Sequence, residues 1–426
     1  MERVFMLELA DRLRQKHACL KPTIVLGHQN ENYGTQSRVF IVYSVSVVQT
    51  EDYDFSGLGL VKLRNPYAFK KTKTFSSVGE TDLSPEDAQR VREAIQTHRD
   101  RLWLRHSKLN IITGRYVKTK RNGSDIDEAC VLLYCSTKGV IPLGEEEFPR
   151  TICTRHGDRI NVVVREGFFR FGGYLTESST RRHSTLKMGC EVGRLTPQYD
   201  ARSICIPNSC GTLGPFVRYN NNLGFLSCSH VFFDMPTHSY AMNFTAGFSQ
   251  VEVVQPSTDS TASVNNTACG FVERAVFAPD HSISIDAAIV TLTDPSRVPS
   301  AGHFSNDHHS SYKTAGFDEL PEYNNAFMLG DINALKSKPT VIKFGSKTDV
   351  TRGALNVVGT DIRPFAKELG FGGSSDKVLM KNQYLVTGIY PSMDFFSMEA
   401  ILVLQCFAKT TMENWYVSEW QSDIVF

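Results

Sequence analysis

From about residue 185 onward the chain has almost no helical periodicity, and no other feature constrains its fold as much. Short apolar runs alternate with glycine and asparagine turns. Gly211-Thr212-Leu213-Gly214-Pro215-Phe216-Val217-Arg218 runs into Tyr219-Asn220-Asn221-Asn222, and Leu223-Gly224-Phe225-Leu226-Ser227-Cys228 returns. Asparagine tolerates the positive φ of a tight hairpin turn, so this stretch predicts two antiparallel strands. Strands this short bury their apolar faces only by pairing many times. The texture therefore predicts a sandwich or a barrel.

The first 185 residues read differently. Ser84-Pro85-Glu86-Asp87 supplies an N-cap, a proline in the first turn and an acid to complete a capping box. Val91, Ala94, Ile95 and Leu102 recur at helical spacing as far as Leu104. Around this helix lie strand-like runs at 39–43, 130–134 and 160–164, a mixture that predicts an α+β region of open function. The charged stretch 176–184 reads as a linker, and 300–323 as a second, weaker boundary. The expected parts are residues 1–185, 186–310, 325–397 and a tail, 398–426.

Composition excludes some partners. The 46 basic residues balance 45 acidic ones, so nothing global points to nucleic acid or an anionic membrane. No segment approaches the roughly 18 consecutive apolar residues of a membrane span. Charges interrupt the first apolar run, Met1 to Glu8, which reads as an amphipathic helix rather than a signal peptide. The ten cysteines are scattered without a Cys-x-x-Cys pair, so a cytoplasmic protein with reduced thiols is expected. No cofactor and no metal site is read from the sequence, and the oligomeric state is not legible in it.

Two residues carry candidate chemistry. His230, in Ser229-His230-Val231-Phe232, stands just past the return strand of the hairpin, where a rigid frame holds it and solvent still reaches it, as a general base requires. Asp286 stands at the mouth of the apolar run Ile285 to Leu292, where burial demands a partner. Taken singly, each is more often a structural residue; the two in order change the odds.

The Gly-Thr-Leu-Gly strand, the Ser-His-Val-Phe turn and the Asp-Ala-Ala-Ile-Val strand resemble the trypsin-like serine peptidases. The similarity is to the cytosolic, non-secreted branch that includes plant narrow-leaf proteins and bacterial relatives. It continues through Lys343-Phe344-Gly345-Ser346-Lys347-Thr348 and Thr351-Arg352-Gly353, and reaches back to Lys138-Gly139-Val140-Ile141-Pro142, covering roughly 125–397. The resemblance implies a mainly β, chymotrypsin-like double β-barrel after the α+β region. It makes His230 the general base and Asp286 its orienting carboxylate, with a peptide or protein substrate between the barrels.

It also implies a Gly-Asp-Ser-Gly turn after Ser397, supplying the nucleophile and the oxyanion hole. Met398-Glu399-Ala400-Ile401-Leu402 stands there instead, so the second barrel is expected to be incomplete, its strand edges bare, and the chain inactive as a peptidase. The glycine–serine turn at Ser374 and Ser375 is the alternative source of a nucleophile, although it precedes the Gln383 strand. Codons formed across adjacent residues point elsewhere. The Met398/Glu399 overlap forces glycine, and the overlaps through Leu404 allow Gly, Asp, Ser, Gly and Ser in order. A shifted frame or an alternative splice junction, rather than coincidence in a degenerate code, is the expected origin of the tail. The remaining readings are a peptide-binding pseudopeptidase and an interaction protein.

Overall fold

A computed structural model describes residues 83–121, 124–167, 182–195, 210–233, 251–257, 267–279, 281–297, 349–365 and 379–388. It also describes short strands at 23–30, 36–43, 60–64, 80–81, 169–170, 198–199, 205–206, 240–243, 323–328, 340–345, 407–409 and 415–417, and a few isolated positions. The chain is mainly β, with two curled half-barrel sheets. It divides into two compact units, Met1–Phe171 with Val358–Leu379, and Gly172–Val357 with Met380–Phe426. No helix among the described residues is long and apolar enough to cross a membrane. Most of the amphipathic segment expected at the N-terminus lies outside the described residues.

The first unit is organised by the helix Pro85–Arg105. Ser84 Oγ accepts from the Asp87 N–H at 3.2 Å, while Asp87 Oδ2 accepts from the Tyr116 hydroxyl at 2.5 Å. Ala88, Val91, Ala94, Ile95, Leu102 and Trp103 form its buried stripe. The stripe packs on the hairpin Leu109–Arg121/Ser124–Cys135, whose second strand pairs in parallel with Arg159–Glu166. Gly114 makes the close approach possible, because a Cβ there would lie 2.4 Å from Val91 Cγ1. Asp361 and Ile362 pair with Ile112 and Ile111, which adds a strand from much later in the chain. Arg363 then lies over the Trp103 ring at 4.7 Å, and the Trp103 indole N–H donates to Asp361 Oδ2 at 3.4 Å. A separate sheet runs in the order Leu60–Arg64, Gln36–Tyr43, Thr23–Asn30, Val140–Pro142.

The second unit contains an eight-stranded sheet. Its order is Cys210–Thr212, Glu191–Arg194, Glu252–Val254, Ala268–Ala278, Ile285–Leu292, Asn222–Ser227 and Phe216–Tyr219, with Tyr240–Asn243 also on Ala268–Ala278. Asn220 and Asn221 take φ of 49° and 65°, the left-handed pair that the asparagine run predicts for a two-residue hairpin turn. Register shifts at Val253/Val254 and Val272/Arg274 mark the bulges that let such a sheet curl. Thr340–Gly345 pairs with the front of Asp349–Ile362. Its other edge, expected to be bare, is covered: Phe407–Lys409 pairs with it and in turn with Trp415–Val417. The β-branched and aromatic residues of the tail are sufficient for those short ladders, a pairing not expected from the sequence.

Arg297 is the polar centre of this unit, 4% exposed. Its guanidinium donates to the carbonyls of His183, Gln255, Thr267 and Ala268 and to Gln255 Oε1, at 2.8–3.3 Å. Burial holds its pKa below the ordinary arginine value. Arg297→Met strips buried carbonyls of their donor, each loss costing about 1–3 kcal/mol. A urea titration of the second unit is expected to show a loss of about 3 kcal/mol or more, with Arg297→Lys intermediate.

His106 gives the first unit a pH response. It closes the helix with its N–H on Leu102 O at 3.1 Å, and its ring lies 4.3 Å from that of Phe148. Burial lowers its pKa from 6.5, outweighing Glu145 and Glu146, which act to raise it. A depressed folded pKa means that the unfolded chain takes the proton first. Stability from this group is therefore complete above about pH 6.5 and is lost as pH falls below it. Denaturation followed by Trp103 fluorescence, with Trp415 and Trp420 replaced by Phe, is expected to show that slope, and His106→Phe to reduce it.

Candidate active site

The site is built by strand register. Asn222–Ser227 pairs with Ile285–Leu292 so that Ser227 lies opposite Ala288 and Leu226 opposite Ile289. Continuing that register past the end of the first strand sets Asp286 level with Ser229. The chain there turns into the single 3-10 turn Ser229–Val231. The amides of Phe232 and Phe233 both donate to Ser229 O at 3.0 Å, which closes the turn. Val231 and Phe232 anchor it in the core of the unit. Gly211 leaves room for that anchor, since a Cβ there would stand 2.3 Å from Val231 Cγ2.

His230 thus arrives over Asp286. Its Nδ1 lies 2.5 Å from Asp286 Oδ2, and its backbone N–H donates to Asp286 Oδ1 at 3.1 Å. The carboxylate is fully buried, whereas the imidazole keeps 20% of its side-chain surface. An ionised carboxylate accepts only, so the proton of a neutral ring sits on Nδ1 and Nε2 is the basic nitrogen. An imidazole held in this way can accept a proton at Nε2, and the buried carboxylate would stabilise the imidazolium so formed.

A second device fixes the start of the Asp286 strand. Ser284 Oγ donates to Pro279 O at 2.6 Å and accepts from the Lys381 N–H at 2.7 Å, while the Ser284 N–H donates to Lys381 O at 3.1 Å. Gln383, 3% exposed, donates from Nε2 to Ser284 O at 3.0 Å and to Lys381 O at 2.8 Å. Strand Met380–Gly388, which the resemblance implies should lead to the nucleophile, is thereby clasped to Ser284, just before the strand that carries Asp286.

The structure brings His230 and Asp286 together across 56 residues of sequence. Ser374 and Ser375 lie outside the described residues, as do residues 389–406, where the serine turn is implied. Sequence reasoning missed Cys228, two residues before His230. Its Sγ, a histidine ring nitrogen and an Asp286 oxygen all lie within 4.8 Å of one another. A Cys-x-His spacing at a strand end was the available signal. Cys130, Cys135, Cys153, Cys190, Cys210, Cys228 and Cys269 are in no disulfide. Burial pushes the thiols of Cys130, Cys135, Cys190 and Cys269 up to about 12, whereas Cys228 is half-buried.

No protein-family model and no curated protein matches this chain.

The short Nδ1–carboxylate contact has a direct signature. A proton NMR spectrum is expected to carry a far-downfield Nδ1–H resonance from His230. Asp286→Ala is expected to abolish it, and Ser284→Ala to leave it in place.

Proposed function

We propose that this chain is a homologue of the trypsin-like serine endopeptidases that keeps the histidine–aspartate pair and lacks the serine nucleophile, so that it does not turn over peptides. The observation that carries the reading is the double contact of His230 on Asp286, ring at 2.5 Å and backbone at 3.1 Å. A buried carboxylate that only filled a structural role would need donors from somewhere. Here both come from one partly exposed histidine on the turn after a hairpin strand, which suits acid–base work.

In an intact triad a serine hydroxyl attacks the scissile carbonyl, His230 Nε2 takes its proton, and Asp286 holds the ring and stabilises the imidazolium. The proton then passes from Nε2 to the leaving amine. The oxyanion formed in the attack needs backbone N–H donors beside the serine. No Gly-Asp-Ser-Gly turn comes after Ser397, so by this reading nucleophile and oxyanion hole are lost together. The proposed role that remains is to hold an extended peptide or protein segment between the two barrels of the implied fold without cutting it.

A fluorophosphonate probe tests this reading. The expected outcome is no covalent labelling and no cleavage of peptide substrates. Appending the shifted-frame tail after Ser397 is expected to restore labelling, and His230→Ala to remove it again. Labelling of the unaltered chain that disappears in Ser374→Ala/Ser375→Ala would overturn the missing-nucleophile reading in favour of that turn.

A further inference from the structure

We infer that Cys228, His230 and Asp286 form a three-ligand site for zinc(II), with the fourth tetrahedral position open to water. The donor set is one thiolate sulfur, one imidazole nitrogen and one carboxylate oxygen, all types that zinc accepts, and zinc imposes no geometric preference of its own. Among the described residues this is the single group of His, Cys, Asp and Glu side chains close enough to share an ion. The three donor atoms lie within 4.8 Å of one another. Zinc bonds of about 2.0–2.3 Å set ligand atoms roughly 3.3–3.6 Å apart on a tetrahedral ion. With Nδ1 as the ligand, its 2.5 Å contact with Asp286 Oδ2 has to open to reach that spacing.

Three features favour uptake. Cys228 is the N-cap residue of the Ser229–Val231 turn, so the turn itself fixes its backbone relative to that of His230. Cys228 is half-buried as a residue, unlike Cys190 and Cys269 in the core of the same unit. The carboxylate oxygen held by the His230 N–H leaves the other to face the ion, and that amide then acts as the outer support that fixes a metal-ligating carboxylate.

Occupation has a consequence for the dyad, and this step alone rests on the function proposed above. If Nδ1 binds the ion, the ring proton moves to Nε2; if Nε2 binds it, that nitrogen is taken. Either way Nε2 accepts no proton. Zinc and general-base chemistry therefore exclude each other at this histidine.

The test uses the full, untagged chain with cobalt(II) as the visible surrogate for zinc. One equivalent is expected to bring up a thiolate-to-cobalt charge-transfer band, and zinc to displace it. Cys228→Ser is expected to abolish the band and weaken zinc binding by at least about tenfold, while Cys210→Ser leaves both unchanged. A second measurement needs no variant: zinc is expected to slow alkylation of Cys228 by iodoacetamide about tenfold or more, read by peptide mass spectrometry. A band that persists in folded Cys228→Ser, or alkylation at the same rate with and without zinc, overturns the site. Neither assay involves peptide turnover, so failure here is separate from failure of the peptidase reading.

Discussion

A carboxylate withdrawn wholly from water has to be given donors, and among the described residues Asp286 receives them from His230. Much of the second unit serves that pairing. The register of Asn222–Ser227 on Ile285–Leu292 brings the aspartate level with the turn, and the asparagine hairpin sets that strand's start. Val231 and Phe232 pin the turn into the core, with Gly211 beneath. The same pairing carries a cost, because loss of His230 would remove both of the donors that the described residues give the buried carboxylate.

Much of this was legible in the sequence for local reasons. Ser84 and Pro85 announce the helix, its apolar residues recur at the spacing of one face, and Tyr219-Asn-Asn-Asn announces the hairpin. Each is a signal contained in a few consecutive residues. His230 and Asp286 stood out because each is chemically conspicuous beside its strand, although 56 residues separate them.

The hidden features are non-local. Nothing in Ser124–Cys135 or Arg159–Glu166 alone says that they pair in parallel, nor does Asp361 reveal that it will lie beside Trp103. Arg297 reads as an ordinary surface cation until five acceptors converge on it. Cys228 was overlooked because its meaning depends on a register that only the folded sheet supplies. The tail was judged by its departure from a family pattern, whereas strand pairing asks only for compatible backbone and β-forming side chains.

The Ser284–Lys381–Gln383 clasp has a wider meaning. It fixes where Met380–Gly388 begins relative to Asp286 through serine, glutamine and backbone atoms, all of them upstream of residue 397. Among the described residues, the contacts that hold His230, Asp286 and Ser284 come from positions before 389. A change at one end of this clasp is thus transmitted to the other end, 97 residues away in the chain.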